Sequence, residues 1–244
     1  MKFAQSPAVK VGAAIAVATG LYGVSFGALS IASGLSLWQT IALSALMFTG
    51  GSQFAFIGVV AGGGGGSAAF GAAALLGVRN VVYGMQMNAI VRPAGWLKAV
   101  AAHVTIDESA ATASGQTDPT ERRRGFWVAG LGVFLLWNLF TVAGALLGDA
   151  LGDPKAWGLD GAAVAAFLAL LWPRLRSRQP VALAVVAALV TVLAVPVAPP
   201  GLPILVAALV AGVWGWFGRG PSGEGMEPDV EPYGGGRAAG GAAP

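Results

Sequence analysis

Arg79 lies within the apolar run AAFGAAALLGVRNVVYGMQMNAIV and is the single charged side chain between Lys10 and Arg92. On a helix, Arg79, Tyr83 and Gln86 share one face at i, i+4 and i+7, while Asn80, Gly84 and Asn88 form an adjacent one. A charge at that depth in hydrocarbon costs at least about 2.5 kcal/mol, so it faces a protein interior or a wet cavity and takes a polar or acidic partner there. The candidate partners follow in AHVTIDESAAT: His103, Asp107 and Glu108. If that stretch is helical, His103 and Asp107 share a face and Glu108 points about 100° away. The two carboxylates then cannot both address Arg79. One neutralises it, and the other is free to take a proton. Two plainer readings stand beside this one: Arg79 snorkels to the membrane surface, or residues 103–109 form a solvated cytoplasmic loop.

A second polar group sits in FTGGSQF (48–54), where a glycine pair adjoins Ser52 and Gln53. An earlier stretch, TGLYGVSFGALSIASG (19–34), mixes glycines with small polar residues. Small-xxx-small spacing such as Gly23–Gly27 lets helix backbones approach closely. Alternatively, such stretches unwind and line a substrate site. Gln53 favours the second reading, because an amide in hydrocarbon needs a partner. Both can hold at once. Asn138, alone in VFLLWNLF, reads as a helix–helix hydrogen bond.

The absence of other motifs narrows the chemistry. The chain has no HExxH and a single histidine, which leaves zinc hydrolase and serine esterase chemistry without their full residue sets. It has no Walker A motif and no cysteine, and thus no disulfide or thiolate metal site. The expectation is a non-enzyme with no cofactor, no bound metal and no nucleic-acid partner.

Composition places these residues in a lipid bilayer. Of 244 residues, 56% are hydrophobic and 10% charged, against about 25% charged in a soluble domain. At about 20 apolar residues per span, helices are expected over roughly 10–33, 36–61, 67–91, 125–148, 157–174, 180–196 and 202–217. The start, MKFAQSPAVK, shows no small-x-small cleavage motif, so the first helix reads as retained. Residues 1–218 form one membrane domain, and the Gly/Pro-rich stretch 219–244 reads as a disordered tail.

Arg122, Arg123 and Arg124, with Arg174, Arg176 and Arg178, place both arginine clusters and the C-terminus on the cytoplasmic side. The first half permits two arrangements. With Lys2 and Lys10 inside, residues 97–116 cross and the chain has eight spans. With Arg92 and Lys98 inside, 97–116 is re-entrant or interfacial, the N-terminus is external and there are seven. The expected fold is therefore all-α: a polytopic bundle of about seven to eight spans, with broken or re-entrant helices in the first half.

The segments LYGVSFGALSIASGLS, MFTGGSQFAFIGV, LLGVRNVVYGMQM and HVTIDES occur in the order and spacing of the AzlC family, which the chain resembles over about residues 8–217. Asn80 stands where many members carry histidine. The resemblance implies the large subunit of a two-component exporter of branched-chain amino acids: valine, leucine and isoleucine, with methionine as a further candidate. It implies secondary active transport in a bacterial inner membrane and a small AzlD-type membrane partner. On that reading Ser52, Gln53, Arg79, Asn80, Tyr83 and Gln86 bind substrate. Asp107, Glu108 and, secondarily, His103 couple transport to protons, while Phe54, Phe56 and Met85 receive the apolar side chain. The competing expectation is a non-transporting membrane subunit whose polar stripe serves assembly.

Overall fold

The structure is a computed structural model that describes residues 3–151, 168, 171–172, 175–199 and 202–217. Every regular element among these residues is helical. The expected span at 157–174 falls almost wholly outside the described residues. The tail 219–244 and the acidic loop with Asp153, Lys155 and Asp160 lie outside them altogether.

Among the described residues, three helices are long and apolar enough to cross a bilayer: α1 (Pro7–Ala32), α4 (Gly66–Val91) and α7 (Pro119–Leu151, apolar to Gly148). Between them lie four short helices, α2 (Leu37–Leu46), α3 (Gly51–Ala61), α5 (Leu97–His103) and α6 (Asp107–Ser114). Two more, α8 (Arg178–Ala194) and α9 (Leu202–Phe217), follow and pack on one another.

Helices α1 and α7 form the spine, and they run parallel. Gly12 faces Ala129, Gly20 faces Leu136 and Gly27 faces Thr141, so the two helices rise together. At their common N-terminal end, Glu121 accepts hydrogen bonds from the Ser6 hydroxyl and the Ala8 amide, and it pairs with Arg124 at 2.8 Å. The approach is at backbone distance. A Cβ on Gly27 would lie 2.0 Å from the Thr141 carbonyl oxygen, and one on Gly144 2.1 Å from that of Val24. Gly20, Gly23 and Gly27 therefore serve packing, Gly34 lies in the turn beyond the helix, and α1 is continuous from Pro7 to Ala32. The unwound alternative fails for that stretch.

It succeeds for the next one, in an unexpected form. Residues 36–61 do not make a single span with a kink. Ser36 caps α2 in a reciprocal box with Gln39 (Ser36 N–H to Gln39 Oε1, 2.8 Å). The helix then runs down the spine: Thr40 bonds Ser30 near the C-terminal end of α1, Ser44 bonds Thr141, and Phe48 meets Phe134 midway along α7. At Gly50 (φ +62°) the chain reverses. α3 climbs back, with Ser52 against Gly77, and Val59 clustered with Ala69 and Ala72 of α4. The Gln53 amide donates to the Leu43 carbonyl at 3.0 Å; collinear helices would hold those residues roughly 15 Å apart. Thus α2–α3 is a re-entrant hairpin that enters and leaves at the C-terminal end of α1.

Helices α5 and α6 repeat the device from the other end. Ala101, Val104, Ala110 and Ala113 join Phe126, Met87 and Val91 near the start of α7. The tip, Val104–Ile106, reaches the middle of the bundle, where His103 lies against Phe134 and Glu108 reaches Thr19. The seven-span reading of 97–116 as re-entrant agrees with this hairpin, and the parallel spine puts the start of α1 at the same end as Arg122, Arg123 and Arg124.

A span plus a hairpin thus occurs twice, in opposite directions. Tyr22–Gly23 in α1 and Tyr83–Gly84 in α4 each stand 12 residues before a positive-φ glycine, Gly34 and Gly95. Each hairpin tip is closed by the third residue of its second helix: Gln53 Oε1 accepts the Gly50 amide (3.1 Å), and Ser109 Oγ accepts that of Ile106 (3.0 Å). Such inverted repeats place binding sites at their midplane interface.

Candidate functional site

The two hairpin tips meet at a cavity of about 340 Å³. It lies halfway along the spine: α1 contributes Ala18, Thr19 and Tyr22, and α7 contributes Val133 and Trp137. The outer tip supplies Phe48, Thr49, Gly50, Gly51 and Phe54, and the inner one Ile106, Asp107 and Glu108. The volume is at the low end of the roughly 300–1,000 Å³ typical of small-ligand sites.

One wall is aromatic. Tyr22 stacks on Phe54 with ring centroids 5.0 Å apart, and Trp137 meets them edge-on at 5.9 and 6.2 Å. Phe26, fully buried, backs both Phe54 and Trp137. Such offset and edge-to-face rings make a firm apolar surface. Two polar atoms in it have no hydrogen-bond partner, the Tyr22 hydroxyl and Trp137 Nε1.

The opposite pole is acidic. Asp107 and Glu108 open α6, where the helix dipole favours negative charge. Asp107 turns toward α4, where its Oδ2 lies 2.8 Å from Arg79 Nη2. Both side chains are largely withdrawn from solvent, at 17% and 25% exposure. Glu108 turns the other way, within hydrogen-bonding reach of the Thr19 hydroxyl on α1. One acid is neutralised and its neighbour faces the cavity.

The remaining residues singled out from the sequence are scattered. Gln53 is fully buried, and its amide is spent on the Gly50 N–H and the Leu43 carbonyl, so it builds the outer tip. Ser52 is buried against Gly77 of α4, with its hydroxyl unpartnered. Tyr83 is half-buried beside the cluster around Met87, and Asn80 is half-buried, whereas Gln86 and Met85 are exposed on the outer face of α4. The polar face of α4 therefore divides: Arg79 reaches the inner tip through Asp107, and Gln86 faces outward. His103 ends α5, exposed, with its ring 6.0 Å from Phe48 and 5.3 Å from Phe134. The break at Val104–Ile106 removes the helical register with Asp107. Of the expected apolar contacts, Phe54 lines the cavity, while Phe56 lines a separate groove beside α2. Asn138 bonds the Phe134 carbonyl of its own helix at 2.8 Å, not a neighbouring helix.

Thr19, Tyr22 and Phe48 fall in the stretches 19–34 and 48–54 but were not singled out there, and Trp137 escaped the sequence reading. Their types are ordinary for membrane helices, and only the meeting of four elements brings them together. The repeated Tyr-Gly pair was the one available signal.

Among known proteins, a family model described as AzlC protein matches residues 14–151, more than half of the chain. The match runs from within α1 to the end of α7, including both hairpins and every cavity residue. No curated protein and no solved structure matches.

Proposed function

The chain belongs to the AzlC family, and from that premise we propose that it is the large subunit of a secondary exporter that carries branched-chain amino acids out of a bacterial cell. Valine, leucine and isoleucine are the substrates, methionine is a further candidate, and a small AzlD-type membrane subunit is the partner. One observation carries this reading: a largely apolar cavity at mid-depth, closed from opposite ends by two re-entrant tips, with an unpaired carboxylate facing it.

Each part of that arrangement has a role. The aromatic wall receives the aliphatic side chain. The Arg79–Asp107 pair holds the inner tip on α4, and Glu108 carries the proton. Alternating access then proceeds by movement of one hairpin at a time around the cavity, as inverted repeats permit.

The same geometry, with the positive-inside rule, supports an orientation. The parallel spine puts Lys10 at the same end as Arg122, Arg123 and Arg124, and because α2–α3 does not cross, Arg92 and Lys98 join them. All these basic residues then lie at one end, which the positive-inside rule assigns to the cytoplasm. The proposed topology has six spans and two re-entrant hairpins, with both termini inside. It counts 157–174, α8 and α9 as the last three spans, and it replaces both arrangements left open by the charges alone.

The test is leucine efflux from cells fed leucine-containing dipeptides and expressing this chain with its membrane partner. Wild type clears internal leucine, and Glu108→Gln at equal membrane abundance does not clear it when an inward proton gradient is the driving force. Absence of efflux of every branched-chain residue in the wild type overturns the substrate class.

A further inference from the structure

The two tips present opposite charge to the cavity. At the inner tip stand Asp107 and Glu108. At the outer tip, α3 begins at Gly50 and Gly51 with no side chain capping it. The Gln53 amide serves the Gly50 N–H, and the N–H groups of Gly51 and Ser52 are the orphan donors that a helix start leaves. With the helix dipole, that makes a site for a carboxylate. A second, independent feature points to the same ligand. Trp137, 2% exposed, lines this cavity, and its Nε1–H has no acceptor. The Tyr22 hydroxyl on the same wall has none either. A buried donor without a partner is costly, and an indole N–H can only donate.

We propose that the cavity binds an α-amino acid in one orientation. Its carboxylate lies on the α3 N-terminus and the Trp137 Nε1–H, its ammonium on Glu108, and its aliphatic side chain between Phe48 and Phe54. This rests on the transport reading above and adds what recognises each end of the substrate. It moves substrate recognition from the Ser52 and Gln53 side chains to the backbone that they flank. It also gives the ammonium and the transported proton the same acceptor, so that each displaces the other.

The test uses the full-length chain in lipid nanodiscs and displacement of radiolabelled leucine by leucine, by isocaproate (no ammonium) and by isoamylamine (no carboxylate). Trp137→Phe keeps a ring and deletes the N–H. It is expected to weaken leucine and isocaproate about tenfold or more, as loss of a bond to a charged group does, and to leave isoamylamine unchanged. Glu108→Gln is expected to weaken leucine and isoamylamine and to spare isocaproate. Retained isoamylamine binding shows that Trp137→Phe is folded. Unchanged leucine affinity in Trp137→Phe, or equal losses for acid and amine, overturns the orientation while leaving leucine as substrate. Failure of the wild type to bind leucine overturns the transport reading, and the orientation with it.

Discussion

Arg79 on α4 and Asp107 at the inner tip form an ion pair, with Nη2 2.8 Å from Oδ2, that fastens the tip of one re-entrant hairpin to a long helix of the bundle. The pair spends one of two adjacent acids on structure and leaves Glu108 toward the cavity. Removing one member of such a pair exposes the other as an uncompensated charge, whereas removing both does not. Arg79→Ala is therefore expected to reduce leucine efflux on the order of tenfold. Arg79→Ala with Asp107→Asn is expected to recover part of it. Equal efflux in the single and double variants, at matched membrane levels, would show that the pairing does not matter.

Glu108→Gln separates coupling from translocation. A side chain that cannot ionise cannot carry a proton, but it leaves the cavity shape intact. In proteoliposomes the variant is expected to exchange internal for external leucine at a rate independent of pH between about 6 and 8. It is also expected to accumulate none when a proton gradient is the driving force. Gradient-driven accumulation by the variant would move the coupling role elsewhere.

The hairpin reading of 36–61 makes a sharp topological forecast, helped by a cysteine-free background. Ala32→Cys and Gly64→Cys flank α2–α3 and are both expected to react with an impermeant maleimide from outside. Ala94→Cys is expected to react only after the membrane is permeabilised. A single crossing would place Ala32 and Gly64 on opposite sides, and the labelling would split.

Close approach of α1 and α7 predicts steep size limits. Gly27→Ala drives a Cβ into the Thr141 carbonyl and is expected to cost about 3 kcal/mol or more, at the upper end of overpacking. Gly58→Ala, with nothing within 4 Å, is expected to be neutral or to stabilise its helix by up to about 1 kcal/mol. Thermal melting of the purified variants distinguishes the two.

Gln53 tests whether the outer tip is held by its amide. Gln53→Met strands the Gly50 amide and leaves the Leu43 carbonyl only its bond from the Met47 N–H, and it is expected to cost about 2 kcal/mol of stability. Ser52→Ala, which breaks no bond, is expected to cost less than 0.5 kcal/mol, the ordinary scale of a neutral substitution. A drop in leucine affinity with unchanged melting in Gln53→Met would return that residue to the substrate.

Composition alone established a membrane-embedded, all-helical chain, because so few charges and so many apolar runs exclude a soluble core. The isolation of Arg79 called for a polar or acidic partner, and helical spacing meant that the two adjacent carboxylates could not both be it. Geometry chose Asp107. What no local pattern carried was the course of the chain between Ser36 and Ala61. Its length suits one span, and a glycine pair suits either a kink or a reversal. Only contacts with distant residues decide it: Thr40 with Ser30, Phe48 with Phe134 and Ser52 with Gly77 place its two ends on the same side. That reversal removes one crossing, brings Arg92 and Lys98 to the end occupied by the arginine triplet, and sets the uncapped start of α3 opposite the acids of α6. The cavity residues Thr19, Tyr22 and Trp137 are far apart in sequence, and each is unexceptional in its own helix. Their convergence exists only once α1 and α7 pack in parallel through glycine.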